Sequence, residues 1–109
     1  VKLLLDECLD EKFRHDVVGH DVYTVSYLGW KGTKNGKLLA RAAADDFGGI
    51  ITTDRGIEHQ QNLSQIPLSV YILIDAESNQ RPDLLPFASN LVVALSNPPL
   101  NPSVVHVHR

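Results

Sequence analysis

Short, nearly continuous apolar runs punctuate this chain and stop on acids. Leu3-Leu4-Leu5 ends on Asp6-Glu7, and Gly48-Gly49-Ile50-Ile51-Thr52-Thr53 ends on Asp54. Leu68 to Ile74, interrupted only by Ser69, ends on Asp75. Runs of this kind, rather than strict alternation, predict strands covered on both faces. His20 to Val25 is rich in strand formers. Val104 to His108 alternates and reads as a fifth strand at a sheet edge. Between the strands the period lengthens. Leu9, Phe13 and Val17 recur at helical spacing, with Asp10 placed to cap and Gly19 to terminate. Asn35 is placed to cap a helix whose apolar side is Leu38, Leu39, Ala42, Ala43 and Phe47. Ile57 to Leu63 reads as a short helix. Pro82 opens a longer one with Leu84, Phe87 or Ala88, Leu91, Val92 and Leu95 inward, kinked or delayed by Pro86 and stopped by Asn97-Pro98-Pro99. Tyr27 to Lys34, with two glycines, reads as an ordered surface loop.

Strand and helix alternate throughout, which predicts an α/β domain over residues 1–109: a parallel sheet, helices on both faces, right-handed crossovers. In such sheets ligands bind outside the carboxyl ends of the strands, near the point where strand order reverses. Asp6, Glu7 and Asp54 are therefore the first candidates for chemistry.

Composition narrows the options. The apolar fraction of 43% suits a buried core. A net charge of −3 supplies no overall basic footprint, so nucleic acid would have to be held by a local patch. The lone cysteine, Cys8, excludes an internal disulfide; it reads as a small buried residue. No apolar run approaches the roughly 18 residues that span a bilayer, and no signal peptide is read, so a cytoplasmic protein is expected.

Two carboxylates held together repel unless a cation or base lies between them. Oxygen-only ligands suit a hard cation, Mg²⁺ or Mn²⁺. The competing reading is that strand-end acids merely bind turn amides. Around the acids, Lys31, Lys34, Lys37, Arg41 and Arg55 can grip a phosphodiester, and Trp30 and Tyr27 can stack a base. Glu58 is a possible further ligand or water-positioning group, followed by the amides Gln60, Gln61 and Asn62. The five histidines lack zinc spacing apart from the His106-Val107-His108 pair. No P-loop, dinucleotide fingerprint or nucleophile elbow is present.

Five stretches in order carry a family resemblance: Leu3-Leu4-Leu5-Asp6-Glu7, Gly19-His20-Asp21-Val22, Leu28-Gly29-Trp30-Lys31-Gly32, Asn35-Gly36-Lys37-Leu38-Leu39 and Thr53-Asp54-Arg55. Together they resemble the DUF5615 PIN-like proteins, from residue 2 to about residue 95. The resemblance implies a PIN-like three-layer α/β/α sandwich with a mainly parallel central sheet of about five strands. It also implies an Mg²⁺- or Mn²⁺-dependent endoribonuclease, the toxin of a type II toxin–antitoxin pair, inhibited by a small DNA-binding antitoxin. Asp6 and Asp54 would hold the metal with Glu7 assisting, and Arg55, Lys34 and Lys37 would orient RNA. Many members carry an acid where Lys34-Asn35-Gly36 stands; Asn35 brings an oxygen without charge.

Two other readings stay open. A catalytically silent PIN-like module would bind without turnover. A receiver-like phosphoacceptor domain also has acids after strands one and three. That class expects Thr or Ser after strand four and Lys after strand five, where this chain has Ile74-Asp75-Ala76 and a His-rich tail. Homodimerisation through an exposed helix or the terminal edge strand is a further possibility, and no membrane partner is expected.

Overall fold

Five short strands, all parallel, form one sheet in the order β2-β1-β3-β4-β5. They are β1 (Lys2–Leu5), β2 (Asp21–Thr24), β3 (Gly49–Thr52), β4 (Ser69–Leu73) and β5 (Val104–Val107). A computed structural model describes residues 2–60 and 65–109. The register sets Leu5 beside Thr24 on one side and Ile51 on the other, so β1 and β3 end level with each other. Strand order reverses between these two strands.

The strands are covered on both faces, which explains their unbroken apolar character. Leu3, Leu5, Ile51, Tyr71 and Leu73 point to one face, where Phe13, Leu84, Phe87, Leu91 and Leu95 meet them. Leu4, Ile50, Val70 and Ile72 point to the other, against Val25, Leu38, Leu39, Ala42 and Ile57. The result is a three-layer α/β/α sandwich. No helix among the described residues is long and apolar enough to cross a membrane.

Several connections differ in detail from the sequence expectation. Leu9, Phe13 and Val17 are all buried, but the segment between them is a 3-10 helix, Glu11–Asp16. Asp10 caps it, its side chain accepting from the Lys12 amide. The expected loop at Tyr27 begins with one helical turn, α1 (Val25–Leu28), capped by Thr24 and closed by Gly29 at φ +74°. In α2 (Asn35–Ala44) the N-cap residue is Lys34, not Asn35, and its side chain makes no capping bond. α3 is Gly56–Gln60; the expected extension to Leu63 lies outside the described residues. Pro86 breaks the last helical pattern as its missing amide requires. The chain passes through α4 (Arg81–Leu84) and a 3-10 turn, Leu85–Phe87, before α5 (Ala88–Ser96).

The crossovers do not all have one hand. From β1 to β2 the chain moves outward along the sheet, with its 3-10 helix on the Leu3–Leu5 face. From β2 to β3 and from β3 to β4 it moves the opposite way on the other face. Reversing both direction and face preserves the hand, so these three agree. From β4 to β5 the direction stays the same, yet α4 and α5 lie on the Leu3–Leu5 face. The last crossover therefore has the hand opposite to the other three, a departure from the uniform right-handed rule. The reason lies in coverage. Helices α1, α2 and α3 fill one face, while a single 3-10 helix leaves most of the other to α5. The Arg81 guanidinium fixes this arrangement through two 2.8 Å bonds to the Asp16 carboxylate.

Candidate functional site

Parallel strands of matched length bring the ends of β1 and β3 side by side. The Asp6 amide donates to the Ile51 carbonyl at 2.9 Å, carrying the ladder one residue past β1. From there Asp6 turns its carboxylate toward β3. Thr52, fully buried, donates its hydroxyl to Asp6 Oδ2 at 2.7 Å, and Thr52 Oγ1 accepts the Asp54 amide at 3.0 Å. Asp54 Oδ1 accepts the Gly56 amide at 2.8 Å, which starts α3, and Oδ2 lies 3.5 Å from the Asn35 amide nitrogen. One hydroxyl thus links the two acids, and α2 presents Asn35 to the second of them.

Burial pushes the Asp6 carboxyl above the ordinary aspartate range. The Thr52 hydroxyl, the Glu7 amide and the Cys8 thiol pull it back, and the negative charge of Asp54 raises it further. Asp54 is exposed. A partly buried carboxylate held against a like charge is stabilised by any cation that settles between them.

The three predicted acids do not converge. Glu7 is exposed and its Oε1 accepts the Gly32 amide at 3.1 Å. It ties down the loop that leads to α2. Among the described residues no group of three or more His, Cys, Asp or Glu is arranged to hold a metal ion. Asp6 and Asp54 are the pair that the fold assembles, with Asn35 beside the second of them. Hard cations often use one or two carboxylates and keep several waters. The oxygen donors of Asp6 and Asp54 fit that mode, and the electrostatics of Asp6 favour it.

Lys34, Lys37 and Arg55 are exposed at the start of α2 and just before α3, both at the carboxyl edge of the sheet. Trp30 needs correction as a base-stacking residue. It is 6% exposed, packs against Phe47 and has the Arg41 guanidinium 4.6 Å from its ring centre. Tyr27, 77% exposed, retains an available ring. Glu58 is engaged elsewhere, paired with His106 of β5, which holds its carboxyl below the usual range. Gln61 and Asn62 lie outside the described residues.

Cys8 is not the buried core residue expected. It is exposed, with its thiol 3.6 Å from Asp6 Oδ2 and 3.9 Å from Thr53 Oγ1. Burial of the sulfur and the neighbouring Asp6 charge raise its pKa, which keeps it a thiol. Thr53 donates to Asn79 Oδ1 at 2.5 Å, and the Asn79 carbonyl accepts the Asp10 amide at 2.9 Å. The sequence assigns Thr52 and Asn79 no role at this edge, and it places Cys8 in the core instead. A signal existed only for Thr52: a polar residue at an inward position of an apolar strand, two places before an acid.

The acid pair sits at an open edge. A groove of about 740 Å³ lies instead along the outer side of β2, with Arg14, His15, His20 and Tyr27 among its lining residues. We place the chemistry at the acid pair, because it lies at the carboxyl edge of the sheet where strand order reverses. An open edge also admits a polymer that a closed pocket would exclude. No family model, curated protein or solved structure matches this chain.

Proposed function

We propose that this chain is a divalent-cation-dependent endoribonuclease of PIN-like type, acting in the cytoplasm as the toxin of a type II toxin–antitoxin pair. The observation that carries the nuclease reading is the Asp6–Thr52–Asp54 linkage at the strand-order reversal, the ligand position of open α/β sheets. The toxin and antitoxin assignments rest on the sequence resemblance.

Asp6 and Asp54 would hold Mg²⁺ or Mn²⁺, which supplies a water of lowered pKa and charge stabilisation at phosphate. Thr52 ties the Asp6 carboxylate, through Oδ2, to the backbone amide of Asp54. Asn35 donates toward Asp54 and adds no negative charge, so fewer anions face the RNA backbone. Lys34, Lys37 and Arg55 neutralise phosphates along the edge. Tyr27 offers a stacking surface to an unpaired base. Glu7 acts indirectly, by holding the Gly32 loop that delivers Lys34 and Asn35. A small DNA-binding antitoxin would cover this edge.

One observation favours a second reading. The order β2-β1-β3-β4-β5 is also that of receiver domains, in which the acid after β3 accepts a phosphoryl group. Asp54 occupies that place, but β4 and β5 lead to Asp75 and His108-Arg109 rather than to a hydroxyl and a lysine. Fold alone does not decide function.

The test is incubation of purified protein with single-stranded and structured RNAs in Mn²⁺, Mg²⁺ or EDTA, beside Asp54→Asn. Metal-dependent cleavage that disappears in the variant is expected. Identical behaviour of the two proteins would overturn the nuclease reading, and labelling of Asp54 by acetyl phosphate would favour the receiver.

A further inference from the structure

The connection from β4 to α4 returns across the carboxyl edge of the sheet, and nothing in the acid pair itself accounts for its Asn79. The connection is held on both sides of that residue. The Asp75 carbonyl accepts Arg109 Nη1 at 2.8 Å. Ser78 Oγ donates to Asp83 Oδ2 at 2.5 Å and accepts the Gln80 amide at 3.1 Å. Between these anchors Asn79, half-buried, bonds to two other parts of the chain. Its side-chain Oδ1 accepts the Thr53 hydroxyl at 2.5 Å, and its backbone carbonyl accepts the Asp10 amide at 2.9 Å.

Both partners belong to the segments that carry the acids. Thr53 immediately precedes Asp54, and Asp10 follows Asp6 in the turn beyond β1. Asn79 therefore fastens the exits of β1 and β3 to one point. Asp10 is itself fixed, its Oδ1 accepting the Lys12 amide at 3.0 Å and its Oδ2 the Arg81 amide at 3.3 Å. At the end of β3 two consecutive threonines are held by different groups, Thr52 by Asp6 and Thr53 by Asn79. Together they fix the main chain from which the exposed Asp54 carboxylate projects.

Burial does not force the bond between Thr53 and Asn79. Both residues are half-buried, and Asn79 Nδ2 has no partner among the described residues yet reaches solvent. Water can satisfy the Thr53 hydroxyl when the amide is absent, so little stability is at stake. What the amide supplies is a fixed orientation for the residue before Asp54.

We propose that Asn79 is a positioning residue of the cation site, holding Thr53 so that the Asp54 carboxylate stays beside that of Asp6. The inference rests on the reading that these two acids bind a divalent cation. Outer groups that orient metal-binding side chains commonly matter by about tenfold or more in affinity.

Calorimetric titration of the full chain with Mn²⁺ tests this, using Asn79→Ala, Thr53→Val, Thr53→Ser and the Asn79→Ala/Thr53→Val double variant. Asn79→Ala and Thr53→Val should each raise the Mn²⁺ dissociation constant by about tenfold, with circular dichroism in EDTA unchanged. Thr53→Ser keeps the hydroxyl and should bind as wild type does. The double variant should be no weaker than either single one, because both remove the same bond. In RNA cleavage kcat should fall while KM holds. If Asn79→Ala fails to fold, the valine and serine variants at Thr53 still decide the matter. Wild-type affinity in Asn79→Ala or in Thr53→Val overturns the proposal, as does a double variant whose loss is the sum of two independent ones. A rise in KM alone also overturns it and makes Asn79 an RNA contact. Wild type that binds neither Mn²⁺ nor Mg²⁺ overturns the cation reading itself, and this inference with it.

Discussion

The Thr52 hydroxyl lies 2.7 Å from Asp6 Oδ2, fully shielded from solvent, and it spans two strands that are far apart in sequence. Because Thr52 Oγ1 also accepts the Asp54 amide, loss of this hydroxyl would free a carboxylate and orphan a backbone donor together. Thr52→Val should destabilise the fold by about 1–3 kcal/mol, the usual consequence of unsatisfied buried polar groups. Thr52→Ser should recover most of that loss. Urea unfolding of the three proteins measures it, and equal stability of wild type and valine variant would contradict the bridging role.

Asp6 is held in a setting that does not favour its ionised form. Its carboxyl is raised chiefly by burial and, to a lesser degree, by the Asp54 charge. Near neutral pH the ionised form therefore weakens the fold. Asp6→Asn should raise the melting temperature in EDTA while abolishing cleavage. Mn²⁺ should raise the melting temperature of wild type but not of the variant. A variant that melts lower than wild type in EDTA would refute this account.

Asn35 faces Asp54 at 3.5 Å from the first turn of α2. Asn35→Asp should place a further negative charge beside the pair. We expect Mn²⁺ to bind severalfold more tightly by calorimetry, with a lower melting temperature in chelator. Unchanged affinity would mean that this corner does not reach the cation.

Two aromatic residues of the same segment should separate cleanly. Trp30→Ala removes a buried ring and should cost about 3–5 kcal/mol, visible as loss of the cooperative melt. Tyr27→Ala should leave the melt within about 0.5 kcal/mol and weaken binding to single-stranded RNA. Filter binding with a catalytically inactive Asp54→Asn background reads the second effect directly.

The Arg81–Asp16 pair gives the fold a pH dependence of known sign. The Arg81 guanidinium, through its hydrogen bonds, holds the Asp16 carboxyl below the ordinary range. A depressed folded-state pKa contributes stability above the unfolded value and loses it as pH falls through the folded one. Wild type should therefore lose more stability than Asp16→Asn between neutral pH and the acid range below the ordinary aspartate pKa. Parallel acid titrations of the two melting curves would exclude the pair as a contributor.

What the sequence made legible is what apolar runs and proline can encode. Leu3-Leu4-Leu5 and Ile50-Ile51 announce strands covered on both faces, and the acids that end them lie together at the sheet edge. Pro86 announced the break between α4 and α5. Direction was harder to read. Glu7 adjoins Asp6, yet it sits in the turn beyond β1 and its carboxylate accepts the Gly32 amide instead. Asn35 was read as a cap because caps and first-turn residues share the same composition. Trp30 looked available because its loop is rich in glycine and lysine, whereas its ring fills the space over Phe47. The hand of the last crossover had no local signature, since it depends on which face the earlier helices have already filled.

That reversed crossover also has a consequence for how the molecule is made. As the chain leaves the ribosome, everything needed to cover the α1–α3 side of the sheet has emerged by about Ile74. The opposite side must wait. Leu3, Leu5, Ile51, Tyr71 and Leu73 stay without their main cover until Leu84 to Leu95 have been synthesised and folded back beside the earliest residues. A greasy half-finished surface therefore persists from Leu73 until Leu95 has been made, a window for chaperone capture or misassociation. The nascent protein closes only when its first and last helical segments meet, and Asp16 and Arg81 are the clasp.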